Sequence, residues 1–448
     1  MMASLEDLTA RLLDAARRAG AEAADALLVR GTHLSIDVRQ GRLEEAQRSE
    51  GIDLGLRVLI GQRQAVVSSS DSRDATLAAM AERAVAMARE APEDPSVGLA
   101  DPSELASDRD AARLELSDPS EDPEPAAMEA RAREAEAAAL EVPGVTQVLS
   151  ASTGWSRREV FLAGTNGFAA GYGRSDHGLS CGAISGTGTG MERDYDWDSR
   201  VFRAELRSPA EIGRTAGQRA AEREGARKPR TGTYPILFDE RIASSLIGHL
   251  LSAINGAAIA RGSSFLRNAM GEQVLPDHLS LTEDPHRVRS PASRLWDAEG
   301  LPTRPRAIVE NGRLTTWTLD LASARKLGLA STANAARSPG GTPSPSVTNI
   351  ALTQGDASRE DLLAQMGTGL LVTSLIGSTI NPNTGDYSRG ASGFWIEGGQ
   401  ITYPVNECTI AGNLGDMLRR IIPANDARSW LPRVVPSLLV EGMTLAGD

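Results

Sequence analysis

Along residues 4–19 the apolar positions recur at helical spacing, with Leu5, Leu8, Leu12 and Leu13 on one face. Ser4, followed three residues later by Asp7, predicts the N-cap. After this helix the period switches to two. Segments at 25–30, 33–39, 42–48 and 52–59, then 64–68 after a turn at Gly61-Gln62, predict a meandering sheet. Residues 74–90 return to helical spacing, with Leu77, Met80, Ala84 and Met87 in register. Helix, sheet and helix together predict a small α+β unit over 1–90.

From 91 to 125 the periodicity disappears. Six prolines (Pro92, Pro95, Pro102, Pro119, Pro123, Pro125) among many acids predict an extended linker or surface-wrapping segment. A second α+β unit over 126–228 follows: a helix at about 126–140, strands at 145–152, 157–163, 166–172 and 178–185, and a helix at about 209–226. The third region, 229–448, opens with an apolar strand at 235–238 and what reads as one uncharged helix at about 240–260. Beyond it Gly, Thr, Ser and β-branched residues dominate, with turns at Asn311-Gly312 and Glu397-Gly398-Gly399 and a loop at 338–346. The fold class predicted is therefore α+β, with small N-terminal α+β units and a mostly β C-terminal domain packed around the 240–260 helix.

Composition narrows the chemistry. The 448 residues carry 47 Lys+Arg against 59 Asp+Glu, a net charge of −12 that repels phosphate backbones and anionic membranes, so neither nucleic acid nor membrane is an expected partner. With two cysteines, Cys181 and Cys408, no disulfide framework or Cys-rich metal cluster can form. No apolar run reaches the roughly 18 residues of a membrane span, and acids precede any apolar run at the N-terminus, which together point to a cytoplasmic protein.

The five histidines are His33, His177, His249, His278 and His286, and none is followed by Glu, so the His-Glu-x-x-His zinc motif is absent. His278 and His286 lie eight apart across Pro285, which is not helical ligand spacing. His249 sits on the uncharged helix run, where it reads as a structural residue of a core or interface. Ser323 and Lys326 match S-x-x-K without its usual companion motifs. Gly186-Thr187-Gly188-Thr189-Gly190 lacks the G-K-[ST] of a phosphate cradle and reads as a turn or bulge. Arg193, Asp194 and Tyr195 form a polar cluster that reads as a structural salt bridge with aromatic packing or, alternatively, as a peptide contact.

Several motifs run the length of the chain: Met191–Trp197 (MERDYDW), Ser264–Leu266 (SFL), Asn381–Tyr387 (NPNTGDY), Ile396–Val405 (IEGGQITYPV) and Thr409–Asn413 (TIAGN). With the 240–260 helix they resemble the TldD/PmbA family, on its PmbA (TldE) branch. In that family the TldD subunit resembles a zinc peptidase with a His-Glu-x-x-x-His helix and a later Cys ligand. The resemblance places the first His on Ser244, the Glu on Ser245 and the second His on His249, and the segment Pro423–Trp430, where the Cys would fall, has none. Hydroxyls are poor Zn²⁺ ligands, and Ser245 cannot accept a proton as a carboxylate does.

The resemblance implies a non-catalytic, metal-free subunit of a TldD/TldE-type heterodimeric metallopeptidase acting on unfolded or small peptides. Zinc is then expected in a TldD-like catalytic partner, and a sheet edge in this chain would hold extended peptide by strand addition. Arg193, Asp194 and Tyr195 are the candidate peptide contacts. Two alternatives stand beside this: a homodimeric peptide-binding or scaffold protein without peptidase activity, and a serine hydrolase built on Ser323 and Lys326. The family's older label, modulator of DNA gyrase, draws no support from the acidic charge.

Overall fold

The Ser4 hydroxyl accepts a hydrogen bond from the Asp7 N–H at 3.0 Å, so the first helix, α1 (Leu5–Ala19), starts at its expected cap. The computed structural model describes residues 3–447. Strands β1 (Ala23–Arg39), β2 (Arg42–Ile60) and β3 (Arg63–Ser69) follow, then α2 (Asp74–Glu90), α3 (Pro125–Leu140), β4 (Val145–Gly164), β5 (Ala169–Ser185), β6 (Glu192–Arg200) and α4 (Pro209–Glu222).

The strands are longer than the sequence predicts. Each pair of short segments, 25–30 with 33–39 and 42–48 with 52–59, is one strand, and the same holds for β4 and β5. Gly31 and Gly51, which look like breaks, lie directly opposite each other in the ladder, and both keep a negative or extended φ. The six strands form one antiparallel sheet in the order β3-β2-β1-β4-β5-β6, so segments on both sides of the Pro-rich stretch share it. On one face α1 and α2 bury Leu5, Leu8, Leu12, Leu77 and Met80 against Leu28, Leu54 and Leu56. Met87 is exposed instead, and Val85 and Ala88 take the inward positions. Next to them α3 and α4 pack Met128, Ala132, Ile212 and Ala216 over Trp155, Leu34 and Ile36. Those helices meet closely: a Cβ on Gly213 would lie 1.9 Å from the Ala135 carbonyl oxygen.

The opposite sheet face exposes Leu27, Leu162 and Phe168 to whatever covers it. Residues 91–125 do so as a strap, burying Ala106, Leu114 and Leu116 there together with Trp296. The stretch is thus surface-wrapping rather than a solvated linker, because its few apolar side chains find an uncovered apolar face.

The C-terminal region is mostly β. Strands β7 (Gly232–Phe238), β8 (Gly369–Ile380), β9 (Asp386–Glu397), β10 (Gln400–Asn413) and β11 (Leu438–Ala446) are ordered β10-β9-β8-β7-β11, and β10 also pairs with β11, curling the sheet. Inside the curve lies α5 (Glu240–Ala253), whose Leu246, Ile247 and Leu250 pack on Phe238, Val372, Ile410 and Val440. The single helix predicted over 240–260 is two: α5 ends at Ala253 with Ile254 as its C-cap, and the Asn255 side chain caps α6 (Gly256–Ala260). Nor is its first turn uncharged, since it carries Glu240 and Arg241. A smaller sheet pairs Arg433–Val434 with Ile350–Ala351 in parallel. Among the described residues no helix is long and apolar enough to cross a membrane.

Candidate functional site

Strand β6 inverts the usual pattern of a half-buried strand: Asp194, Asp196 and Asp198 point inward and are buried, whereas Tyr195 and Trp197 are 52% and 39% exposed. Buried carboxylates persist only with strong partners. Asp196 is held by Arg207 at 2.6 Å and Arg219 at 2.9 Å, and Asp198 by Arg200 at 3.1 Å. Asp194 pairs with Arg241 of α5 at 2.9 Å and Arg223 at 3.6 Å, and Arg223 in turn donates to the Ser392 hydroxyl of β9 at 2.8 Å. The network therefore ties the first sheet to the C-terminal region. Sequence alternation of acid and aromatic over 194–198 is the signal of this strand, and no hydrophobic-in template finds it.

The three residues singled out on this strand divide accordingly. Arg193 and Tyr195 face outward, while Asp194 is a buried ion hub on the other face. Tyr195's own backbone is occupied: its N–H donates to the Asp194 carboxylate at 2.8 Å, and its carbonyl accepts from Arg219 at 3.1 Å. Although β6 is an edge strand, it is capped at that point against addition of a further strand.

Tyr195 borders two depressions. One is a groove of about 1030 Å³ between β4–β6 and β8–β10, walled by the exposed Leu149, Met191 and Ile376. The other is a cleft of about 280 Å³ over the first half of α5, into which Ser244, Trp197 and four arginines project. Ser244 thus opens on the cleft. Among the described residues, Ser245 Oγ and His249 Nε2 are buried without a hydrogen-bond partner. The His249 ring stands edge-to-face on Tyr387 with centroids 5.8 Å apart. Burial, and then Arg389, hold the His249 imidazole below the usual histidine range, so it is neutral at pH 7.

Zinc does not fit these residues. Positions 244, 245 and 249 offer two hydroxyls and one imidazole, with neither a carboxylate nor a thiolate, and the helix's one carboxylate, Glu240, is paired with Arg428. Cys408 donates to the Ala391 carbonyl at 3.1 Å, and burial pushes its thiol up to about 11, so no thiolate forms there. Among the described residues no three of His, Cys, Asp and Glu gather closely enough to hold a metal ion. The remaining histidines lie elsewhere: His177 is buried near Asp118, His286 contacts Thr303 at 3.1 Å, and His278 and His33 are exposed.

Ser323 and Lys326 line another cavity but are not a nucleophile and its base. Ser323 closes a capping box with Asp320 at the start of α7 (Leu321–Leu327), and Lys326 pairs with Asp94 at 2.9 Å. Gly188–Gly190 forms a single 3₁₀ turn between β5 and β6.

Three family models cover almost all of the chain: PmbA/TldA metallopeptidase domain 1 over 24–88, the central domain over 118–224 and the C-terminal domain over 231–447. Metalloprotease PmbA of Escherichia coli O157:H7 is 36% identical over 441 residues, which span 98% of this chain and 95% of that protein. A crystal structure of a candidate DNA gyrase modulator from Bacteroides thetaiotaomicron superposes with a TM-score of 0.91 over all of both chains at 27% identity. TldE from Thermococcus kodakarensis shares the fold, with a TM-score of 0.85 over 98% of this chain and all of that one at 20% identity. The chain belongs to the PmbA/TldD metallopeptidase family, on its PmbA branch.

Proposed function

We propose that this chain is the metal-free, non-catalytic subunit of a TldD/TldE-type heterodimeric peptidase, acting in the cytoplasm on unfolded or small peptides. The observation that carries this reading is the donor set on α5: Ser244, Ser245 and a neutral His249 stand where the family resemblance expects His, Glu and His. A hydroxyl in place of the carboxylate leaves no general base, and one imidazole does not hold zinc for catalysis. The TldD-like partner then supplies the zinc, and this chain holds substrate. Its peptide-holding surface is the groove between β4–β6 and β8–β10, with Arg193 and Tyr195 on the rim, since an extended chain fits a long trough with apolar walls.

The test is metal content and cleavage of an unfolded peptide, measured on the purified chain with and without a co-expressed TldD-like subunit. The expected result is no stoichiometric zinc and no cleavage alone, with both present in the complex. About one zinc per chain in the isolated protein refutes the reading, and self-association without capture of a His-Glu-x-x-x-His partner identifies the stand-alone homodimer instead.

A further inference from the structure

The cleft over α5 has an unusual charge for its chain. Its walls carry four guanidinium groups, Arg219, Arg241, Arg428 and Arg433, against two carboxylates, Asp196 and Glu240, in a protein whose net charge is −12. These pair off with one another and with their neighbours: Asp196 with Arg207 and Arg219, Glu240 with Arg428, and Arg241 with Asp194 and Asp239, which leaves one guanidinium of the four without a counter-ion among the described residues. Burial raises the Glu240 carboxyl above its usual range despite Arg428. Burial and the neighbouring Arg241 pull Arg219 down, as expected where cations crowd together.

Arg433 is the unspent group. It is exposed, its backbone is fixed by the ladder to Ile350, and among the described residues no ion pair engages it. A Cβ on Gly248 would lie 3.2 Å from Arg433 Nη1, so the guanidinium reaches across α5 one residue before His249. Tyr195 and Trp197 form the aromatic wall, and Tyr195 also lines the groove, so the two depressions adjoin at this residue.

We infer that this cleft binds a peptide carboxylate, either the C-terminal group or an acidic side chain, with Arg433 as its principal ligand and Tyr195 and Trp197 flanking the residue that bears it. The inference rests on the peptide-holding reading above and adds to it a substrate class, chains that end in or carry a negative charge. Guanidinium is suited to this task because its planar fork meets both oxygens of a carboxylate.

The experiment uses one short, labelled, unstructured peptide in three forms: a free C-terminus, a C-terminal amide without acids, and the amide with one Asp near its end. Binding to the full chain is followed by fluorescence anisotropy. At least one of the two carboxylate-bearing forms should bind about tenfold or more tightly than the neutral amide and lose that advantage in Arg433→Gln, with added salt acting in the same direction. An advantage of the Asp-bearing amide alone assigns the site to an acidic side chain, an advantage of the free C-terminus alone assigns it to the terminal group, and both together show that it takes either carboxylate. Equal binding of all three forms, or an advantage that survives Arg433→Gln, overturns the inference while leaving peptide holding intact. If no peptide binds, the peptide reading fails, and the cleft is decided by thermal shift with N-acetyltyrosine against its amide. A rise in Tm specific to the carboxylate and dependent on Arg433 supports the site, and its absence refutes it.

Discussion

Replacing Asp194 by alanine deprives two buried guanidinium groups of a partner at once, because Arg241 and Arg223 both lean on this carboxylate at 2.9 and 3.6 Å. Breaking a buried pair by removing one side typically costs about 3–5 kcal/mol, since the stranded charge keeps its desolvation penalty. Here Arg241 retains Asp239 at 3.1 Å and Arg223 retains Glu192 at 3.6 Å, which places the cost at the lower end, about 3 kcal/mol. At about 2.1 cal/mol/K per residue, a chain of 448 residues unfolding as one unit has an unfolding entropy of about 0.9 kcal/mol/K. The expected fall in Tm is therefore about 3 °C, read by differential scanning calorimetry. Asp194→Asn keeps an acceptor for the Tyr195 N–H and should fall less. Arg193→Ala, one residue away on the exposed face, should stay within about 0.5 kcal/mol of the parent, well under 1 °C. The reasoning is refuted if Asp194→Ala melts with Arg193→Ala while peptide binding collapses, because Asp194 would then be a ligand and not a hub.

Two further outcomes follow from buried titratable groups. Glu299 is pushed up to about 8 from 4.5 by burial and then by Asp297, so the folded chain holds its proton over a range in which the unfolded chain has lost it. Its contribution to stability is full below about pH 4.5 and disappears as pH rises through about 8. The Tm of the parent should drop between about pH 6 and about pH 9 more than that of Glu299→Gln, and parallel pH profiles would contradict this. Burial raises the thiols of Cys181 and Cys408 to about 12 and about 11, so a disulfide-exchange reagent at about pH 8 should label neither in the folded protein and both after denaturation. Prompt labelling of the native chain would show that one of these strands opens.

How much of this was legible in the sequence depended on whether local pattern and tertiary environment agreed. Helices α1 and α2 could be read to within a residue because their apolar stripes face one core. Strand lengths could not, since Gly31 and Gly51 look like punctuation until the ladder shows them paired across β1 and β2. β6 was missed for a deeper reason. A period-2 search expects apolar residues inside, and this strand buries aspartates whose partners Arg207, Arg219, Arg223 and Arg241 lie on α4, α5 and the segments flanking α4. Ser244, Ser245 and His249 could be placed on one helix from sequence, yet the arginines above them come from residues 219 to 433 and converge only in the fold.

That convergence bears on the proposed lack of a metal site through a second, independent argument. Ligand chemistry already weighs against zinc, because hydroxyls replace the groups that would bind and activate it. Electrostatics weighs in the same direction: Arg219, Arg241 and Arg428 already occupy the neighbouring carboxylates Asp196, Asp194, Asp239 and Glu240, so a dication at Ser244 would face the unpaired Arg433 guanidinium with no free carboxylate among the described residues to offset it. Restoring His at 244 and Glu at 245 would supply donors without removing that repulsion. An anion meets the opposite balance in the same space, which is why the cleft that disfavours a metal is suited to a carboxylate.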